Sequence, residues 1–475
     1  MVKVIRKKSL KIYIQIFFSI LFILQLAICI KWIINNWGLI PSYGDSEDYI
    51  LRSNPLVIHN IRPFTLPLLI RFSQEIGGKT YFPPILFSIQ TIFAFTSIWF
   101  ISGSLLPNVS KKIRGIITIL VGTNPLIIHF NYSIVPDSLA MSCTLLALYF
   151  LWELCTTKQR INNYIYIYNT SNFILFIISF IFASNTRGER FFSILLGIII
   201  TSIIIYLFIK PPIRRLKFVP LILCLFFGIT GNLITKHFLP STNDIFILDY
   251  NFHRYHMITC SLSWPYLQNI YPNLPQYIKD ILPIEETTIY DTQANYFYQI
   301  KTYIDPLGKE AYKDIIRTIL KNDWMSICYR YPMGMLHYGL SPLYLYYNFK
   351  GTKEQGFSDI PLSWFYRIQD WTYTRMEMYA KNTTLYYWQI TWCIFILSLL
   401  ILFFLFLKRK NILLQKESTI FFTITPLSTA IIFSCNNPIF IHLRYTVTWY
   451  TSFFILLMCL VIPNLYSENN SKIEK

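Results

Sequence analysis

Three acidic residues lie within four positions of one another, just after the first hydrophobic stretch of the chain. They are Asp45, Glu47 and Asp48, in the segment 44–49. Carboxylates at a membrane surface are costly in isolation, so they are usually paired, metal-bound or catalytic. A carboxylate can act there as the general base that takes a proton from an acceptor hydroxyl. These three are the candidate catalytic residues, and the alternative for each is a cap on the helix predicted to begin near Ser46.

Arginines recur at the ends of other hydrophobic stretches, and one more lies later in the same outer loop. The candidates for holding a phosphate group are Arg62, Arg187, Arg190 and Arg444. Arginine binds phosphate through paired hydrogen bonds and stabilises the charge that a leaving group gains. Two alternatives stay open: Arg187 and Arg190 could anchor a hairpin to lipid headgroups, and Arg444 with Tyr445 is also a typical interfacial pair.

Asp137 follows Pro136 at the start of the fourth hydrophobic stretch, where an acid is typical of a helix cap. It is also predicted to face the same side of the membrane as the residues above, so we add Asp137 and Tyr445 to the substrate-binding candidates. The centres of the stretches contain essentially no ionisable residue, which ion-coupled transporters need near the midplane. The pattern favours chemistry at the outer surface, on a lipid phosphate whose tail lies among the helices.

The elements that must position these residues are membrane helices. Hydrophobic residues make up 54% of the chain and charged residues 14%, against about 25% charged in a soluble domain. This composition excludes a soluble enzyme and predicts an all-α polytopic membrane protein with about ten spans. The predicted spans lie near residues 12–34, 84–106, 114–130, 137–154, 171–185, 191–209, 217–236, 389–407, 418–434 and 445–463.

Lysine and arginine concentrate on one side of these spans. The clusters are 3–11, 111–114, 158–160, 210–217, 408–416 and 472–475. By the positive-inside rule this side is cytoplasmic, which predicts a multi-pass protein of the inner membrane with both termini in the cytoplasm. The net charge of +18 then reflects topology, and we expect membrane lipids but no nucleic acid among the partners.

The spans divide the chain into three parts. An N-terminal block of seven spans covers residues 1–238 and includes the acidic first outer loop at 35–83. A large outer segment covers 239–387, and a C-terminal block of three spans covers 388–475. Within the first outer loop, the stretch from Arg62 to Phe72 is too short to span and predicts an interfacial helix.

Two features of the large outer segment, a helix and a pair of cysteines, can also be predicted from the sequence. Ile315, Ile316, Ile319 and Leu320 recur at helical spacing among charged residues, which predicts an amphipathic helix from Lys309 to Leu320. Cys260 and Cys328 could form a disulfide in an oxidising compartment, and two free thiols are the alternative.

The motifs around the candidate residues resemble those of the GT-C glycosyltransferases, in particular the bacterial family-39 type. That type includes protein mannosyltransferases and lipid A aminoarabinose transferases. The resemblance rests on Gly-Asp-Ser-x-x-Tyr at 44–49, Arg-Pro-x-x-x-Pro at 62–67, Pro-Asp-Ser-Leu-Ala at 136–140, Thr-Arg-Gly-Glu-Arg at 186–190 and Arg444-Tyr445. It covers most of the first 200 residues and the final 40.

The resemblance implies an enzyme that moves a sugar from a polyprenyl-phosphate donor to a glycan, lipid or protein acceptor on the extracytoplasmic face. It implies that Asp45 or Asp48 is the base and that Arg62, Arg187, Arg190 and Arg444 contact the donor phosphate. The paired acids usual in the family are spread here over three positions, which leaves the base open. Three clustered acids are also a set that Mg²⁺ or Mn²⁺ could bind. A monophosphate donor needs less charge neutralisation, so we predict no metal and no other cofactor.

Two other classes fit parts of the same pattern. An O-antigen-type polymerase or ligase also combines many spans with one large outer loop, but its chemistry leans on loop arginines and histidines more than on an acidic first loop. A non-enzymatic lipid-sugar flippase or a structural membrane protein is the alternative from a different class. A flippase is expected to carry polar groups along a path between spans, which the apolar span centres disfavour.

Overall fold

The computed structural model describes the helical blocks on both sides of the large outer segment and parts of that segment. The described residues are 2–35, 46–56, 63–156, 163–187, 189–208, 211–238, 255–256, 258–260, 262, 270–282, 300–325, 328, 332, 414–436 and 443–466. Asp45, Arg62, the predicted span at 389–407 and the predicted boundary at 387/388 lie outside them. The three-part division of the chain stays a prediction.

Every regular element within the described residues is a helix, which confirms the all-α class for that part of the chain. The N-terminal block contains α1 (Val2–Asn35), α2 (Ser46–Leu51), α3 (Thr65–Leu105), α4 (Lys111–Gly122), α5 (Pro125–Asn131), α6 (Asp137–Thr156), α7 (Asn163–Ser184), α8 (Glu189–Phe208) and α9 (Pro211–Phe238). The outer segment contributes α10 (Gln276–Lys279), α11 (Lys309–Asn322) and two 3-10 turns at Tyr271–Asn273 and Asp305–Leu307. The C-terminal block contributes α12 (Lys416–Asn436) and α13 (Leu443–Tyr466).

Three segments of these helices are long and apolar enough to cross a bilayer. They are Tyr81–Leu105, Asp137–Cys155 and Arg190–Leu207. Shorter apolar segments lie in α1, α7, α9 and α13, at Gln15–Lys31, Thr170–Ser184, Val219–Thr235 and Val447–Pro463. The chain is therefore a membrane protein, and the count of ten spans stays a prediction.

The third predicted span, near 114–130, is not one continuous helix. α4 ends at Gly122 and α5 begins at Pro125, because proline has no N–H to continue the helical ladder but suits the first position of a new helix. The buried polar groups at the break are satisfied by other helices. Gln25 Nε2 donates to the Thr123 carbonyl at 3.4 Å, and Asn124 Nδ2 donates to the Tyr450 hydroxyl at 2.8 Å. Irregular backbone at membrane depth persists only where protein or water supplies such partners.

The interfacial helix predicted from Arg62 to Phe72 is the first part of α3. The helix begins at Thr65, and its backbone breaks at Gly78, where φ is +64°. A left-handed conformation of this kind is readily adopted only by glycine. The break divides α3 into an outer section before Gly78 and the apolar span from Tyr81.

The bundle is organised around α6, whose residues are almost all buried and which packs against α3, α7, α8, α9 and α13. The α6 residue Trp152 stacks on Phe421 of α12, with 4.9 Å between ring centroids. A helix that is apolar all round is expected at the centre of a membrane bundle. This central position is what allows α6 to bring its first residue, Asp137, into contact with neighbouring helix ends.

Gly115 and Gly122, both in α4, are expected to respond differently to substitution by alanine. A Cβ added at Gly122 would lie 2.5 Å from two ring atoms of Phe95, whereas at Gly115 the nearest atom, on Trp99, would be 3.9 Å away. Overpacking of a filled site costs about 1–3 kcal/mol. We expect Gly122→Ala to lower the midpoint of thermal unfolding, and Gly115→Ala to leave it unchanged or raise it. Equal midpoints for the two variants would contradict the described packing of α4 on α3.

The amphipathic helix predicted at Lys309–Leu320 is confirmed as α11. Its buried face is formed by Ala311, Tyr312, Ile315 and Ile319, which pack in a small hydrophobic core of the outer segment. Leu320, expected on the apolar face, is exposed.

The two cysteines of the outer segment are both free, which matches the alternative to a disulfide. Cys260 is buried and Cys328 is exposed. Burial, with a smaller effect from the Asp305 carboxylate, raises the pKa of Cys260 and keeps it in the unreactive thiol form.

Candidate functional site

Several helix ends meet at one end of the bundle. Side-chain contacts join the start of α6 to the turn after α7, the start of α8 to the first part of α13, and that same turn to the last part of α9. Helix ends carry unpaired backbone groups and partial charge, so polar side chains collect there. We call this end of the bundle the candidate site.

An ion pair between Asp137 and Arg187 lies at the centre of the candidate site. Asp137 is the first residue of α6, and Arg187 follows α7 by three positions in the short turn before α8. The Arg187 Nη2 and Asp137 Oδ1 atoms are 2.9 Å apart, and both side chains are almost fully removed from solvent. A carboxylate in the first turn of a helix is favoured by the helix dipole. The predicted cap at Asp137 is therefore also the counterion of a predicted phosphate-binding arginine.

Arg190 lies in the first turn of α8 and reaches α13. Its Nη1 atom donates a hydrogen bond to the Thr448 hydroxyl at 2.8 Å, and the Arg190 side chain is fully buried. Thr448 lies four residues after Arg444, so the two positions share one face of α13. The contact joins the motif at 186–190 to the helix whose first turn carries the Arg444-Tyr445 motif, two of the motifs on which the family resemblance rests.

Neutral side chains fix the turn that carries Arg187. The Thr65 N–H donates to the Asn185 carbonyl at 3.1 Å, and the Thr65 hydroxyl donates to the Phe182 carbonyl at 3.0 Å. Asn185 Nδ2 in turn donates to Asn232 Oδ1 at 2.9 Å. These bonds join the start of α3 and the end of α9 to the turn between α7 and α8, and all these polar side chains are buried.

The acidic helix α2 packs on the loop that leads to Asp137. The Ser46 hydroxyl donates to the Ile134 carbonyl at 2.9 Å. Tyr49 is buried in one hydrophobic cluster with Ile134 and Leu139, which lie on either side of Asp137 in the chain. The helix that carries Asp48 and the start of α6, which carries Asp137, are therefore parts of the same packed structure.

Asp48 has a cationic partner in Arg52, the residue that directly follows α2. Its Oδ1 atom lies 2.9 Å from Arg52 Nε, and the Asp48 side chain is 31% exposed. The pair holds the carboxylate in one orientation while leaving it open to solvent. Of the three loop acids, Asp48 is the one whose side chain is described. Its carboxylate is both partly open to solvent and held in one orientation.

The side chains of the other predicted residues lie outside the described part of the structure. Glu47 lies in α2, and Arg444 and Tyr445 lie in the first turn of α13, with side chains outside the described part of the structure. Asp45 and Arg62 lie outside the described residues altogether. Of the predicted set, the described side chains bring Asp137 and Arg187 into direct contact.

Several residues that build the site were not predicted from the sequence. Arg52 had a signal, because it follows Asp48 by four positions on a predicted helix and such pairs face one another. Thr448 had a weaker one, its spacing of four from Arg444. Asn185, Asn232 and Thr65 gave none, because their partners are distant in the chain.

The chemistry available at the candidate site is that of two buried cations, together with a partly exposed carboxylate on the helix that packs against the loop before Asp137. Guanidinium groups fixed away from water stabilise an anion more strongly than they do in bulk solvent. Within the described residues, no group of three His, Cys, Asp or Glu side chains is arranged to hold a metal ion. The absence of a metal cofactor stays a prediction.

Comparisons with known proteins give one structural likeness. No protein-family model matches the chain, and no curated protein matches it. A crystal structure of ArnT from Cupriavidus metallidurans bound to undecaprenyl phosphate aligns with 93% of this chain and 77% of its own, at 10% sequence identity and a TM-score of 0.37. This TM-score is too low to establish a common fold.

Proposed function

We propose that the chain is a membrane glycosyltransferase that takes a sugar from a polyprenyl-phosphate donor. The observation that carries the proposal is the packing of α2, with its partly exposed Asp48, on the loop leading to the buried Asp137–Arg187 pair. A general base and a phosphate-binding cation are the two groups that transfer from a lipid phosphate requires. The motif resemblance to GT-C enzymes supports the same assignment.

In the proposed reaction an acceptor hydroxyl attacks the anomeric carbon of the donor sugar. Asp48 accepts the hydroxyl proton, a bond forms from the acceptor oxygen to the anomeric carbon, and the bond from that carbon to the phosphate oxygen breaks. The phosphate keeps the electron pair and leaves as polyprenyl phosphate. Arg187 and Arg190 stabilise the charge that the phosphate gains, in a site from which water is largely excluded.

The remaining assignments follow from the sequence pattern. The acceptor is a glycan, a lipid or a protein, and the reaction takes place on the extracytoplasmic face. The chain spans the inner membrane with both termini in the cytoplasm, because its cationic clusters lie on the opposite side from the candidate site. Arg62, Arg444 and Tyr445 complete the proposed substrate-binding set, and Asp45 and Glu47 are the other acids of the catalytic loop.

Binding of a lipid monophosphate tests the phosphate assignment without knowledge of the sugar. The purified chain in lipid nanodiscs is titrated with undecaprenyl phosphate, and the bound lipid is measured by native mass spectrometry. We expect saturable binding that Arg190→Gln weakens about tenfold or more, since a charge-assisted contact contributes about 1.5–3 kcal/mol.

Arg71→Gln is the matched control, because Arg71 forms an exposed ion pair with Glu75 on the outer section of α3. It is expected to bind the lipid as the wild type does. Unsaturable binding, or equal affinities for Arg190→Gln and Arg71→Gln, would contradict the phosphate assignment. Strong preference for a lipid pyrophosphate would favour the polymerase or ligase class instead.

A further inference from the structure

The loop between α5 and α6 is non-helical but buried along its whole length, from Tyr132 to Pro136. Three carbonyl groups, two in this loop and one on Asn131 at the end of α5, accept hydrogen bonds from side chains of other helices. Gln90 Nε2 donates to the Asn131 carbonyl at 3.0 Å and to the Ser133 carbonyl at 3.2 Å. The third carbonyl, of Ile134, accepts from Ser46 of α2.

These contacts are energetically necessary for a loop in this position. Backbone groups removed from water must find partners within the protein, and a buried carbonyl that loses its donor destabilises the fold. Gln90 lies in the span of α3 and is itself fully buried. A polar group in a membrane helix is costly unless it is hydrogen-bonded, and donation to these two carbonyls offsets that cost for the Gln90 amide nitrogen.

The loop connects the two halves of the candidate site. At one end it leads directly into Asp137, and the Ser138 hydroxyl donates back to Asn131 Oδ1. Along its length it carries the contact with Ser46, the first residue of the acidic helix α2. The position of α2 relative to the Asp137–Arg187 pair therefore depends on the conformation of this loop.

We propose that Gln90 is a positioning residue that holds the acidic helix α2 in register with the Asp137–Arg187 pair. The inference rests on the proposed function. Gln90 itself contacts loop backbone and acts through the groups that the loop carries. A catalytic group displaced by about 1 Å loses on the order of 100-fold in rate, so release of the loop is expected to slow transfer strongly while leaving the bundle folded.

A distance measurement tests the positioning directly. Spin labels are placed at Leu51→Cys on α2 and Phe192→Cys on α8, two exposed positions, in a background without reactive cysteines. Pulsed electron resonance on the full chain in nanodiscs is expected to give one narrow distance distribution. Gln90→Met, which keeps the side-chain length but has no donor, is expected to broaden it or add a second population.

Turnover in cells is measured with the same variants, without labels, as the ratio of polyprenyl-phosphate sugar to free polyprenyl phosphate. Gln90→Met is expected to raise this ratio toward that of cells lacking the chain, through a transfer rate at least about tenfold lower. Ser97→Ala is the matched control, because Ser97 is equally buried in α3 but bonds only to the Ala94 carbonyl of its own helix. It is expected to leave both readouts unchanged.

An unchanged distance distribution in Gln90→Met would overturn the proposal, and so would a broadened distribution with normal turnover. If Gln90→Met does not fold, Gln90→Asn, which keeps an amide but is one methylene shorter, is expected to give the same two effects in folded protein. If cells lacking the chain show a normal ratio, the proposed function fails, and the distance distribution still decides whether Gln90 holds the loop.

Discussion

Replacing Arg187 with glutamine is expected to lower the free energy of unfolding by about 3–5 kcal/mol. The substitution removes the cation that lies 2.9 Å from Asp137 and leaves a fully buried carboxylate without it. Transferring a charge out of water is costly unless a partner compensates it. Removing one partner of a buried pair is therefore more destabilising than replacing both partners with uncharged residues. Unfolding of the purified chain in detergent, followed by circular dichroism, measures the change.

Two companion variants make this expectation specific. Arg71→Gln removes an exposed ion pair on α3 and is expected to cost less than about 1 kcal/mol. The double variant Asp137→Asn with Arg187→Gln removes both buried charges and is expected to recover part of the stability that Arg187→Gln loses. A loss for Arg187→Gln as small as that for Arg71→Gln would contradict a buried pair at the candidate site.

Asp48→Asn is expected to reduce transfer by about 10²–10⁴-fold while the protein remains folded. The amide is close in shape to the carboxylate but cannot accept the proton of the acceptor hydroxyl. Because Asp48 is partly exposed, removal of its charge next to Arg52 costs little stability. Turnover of the lipid-linked sugar in cells, at matched membrane levels of the protein, measures the effect.

Asp314→Asn is the control for Asp48→Asn. Asp314 forms an ion pair of the same length, 2.9 Å, with Arg317 on α11, and its side chain is 28% exposed. A general effect of losing a surface carboxylate would appear in both variants. Normal turnover in Asp48→Asn would assign the base to Asp45 or Glu47. Normal turnover in Asp45→Asn, Glu47→Gln and Asp48→Asn alike would leave α2 with a capping role.

Much of the helical architecture follows from the sequence alone. Long apolar stretches must form helices in a membrane because every backbone group needs an internal partner. The break near 123–124 also had a local cause, since Pro125 cannot continue the ladder of α4. The break within the predicted span near 114–130 was not predicted, because the average hydrophobicity of the stretch outweighed that single residue.

The pairing within the candidate site could be predicted only in part. The Asp48–Arg52 pair was predictable from its spacing of four residues along the helix predicted to begin near Ser46. The Asp137–Arg187 pair joins residues fifty positions apart, and it depends on how α6 and α7 pack. The role of Gln90 gave no signal, because its partners are backbone carbonyls in and next to a loop whose path the side-chain pattern does not specify.

The most direct measurement of the central claim is mass spectrometry of lipid-linked sugars in cells that lack this chain. The proposed function predicts that a polyprenyl-phosphate sugar accumulates, that wild-type protein returns it to its normal level, and that Asp48→Asn does not. Normal lipid-linked sugars in the absence of the chain would contradict the claim. Accumulation of a lipid-pyrophosphate oligosaccharide would contradict it as well, and would assign the chain to the polymerases or ligases.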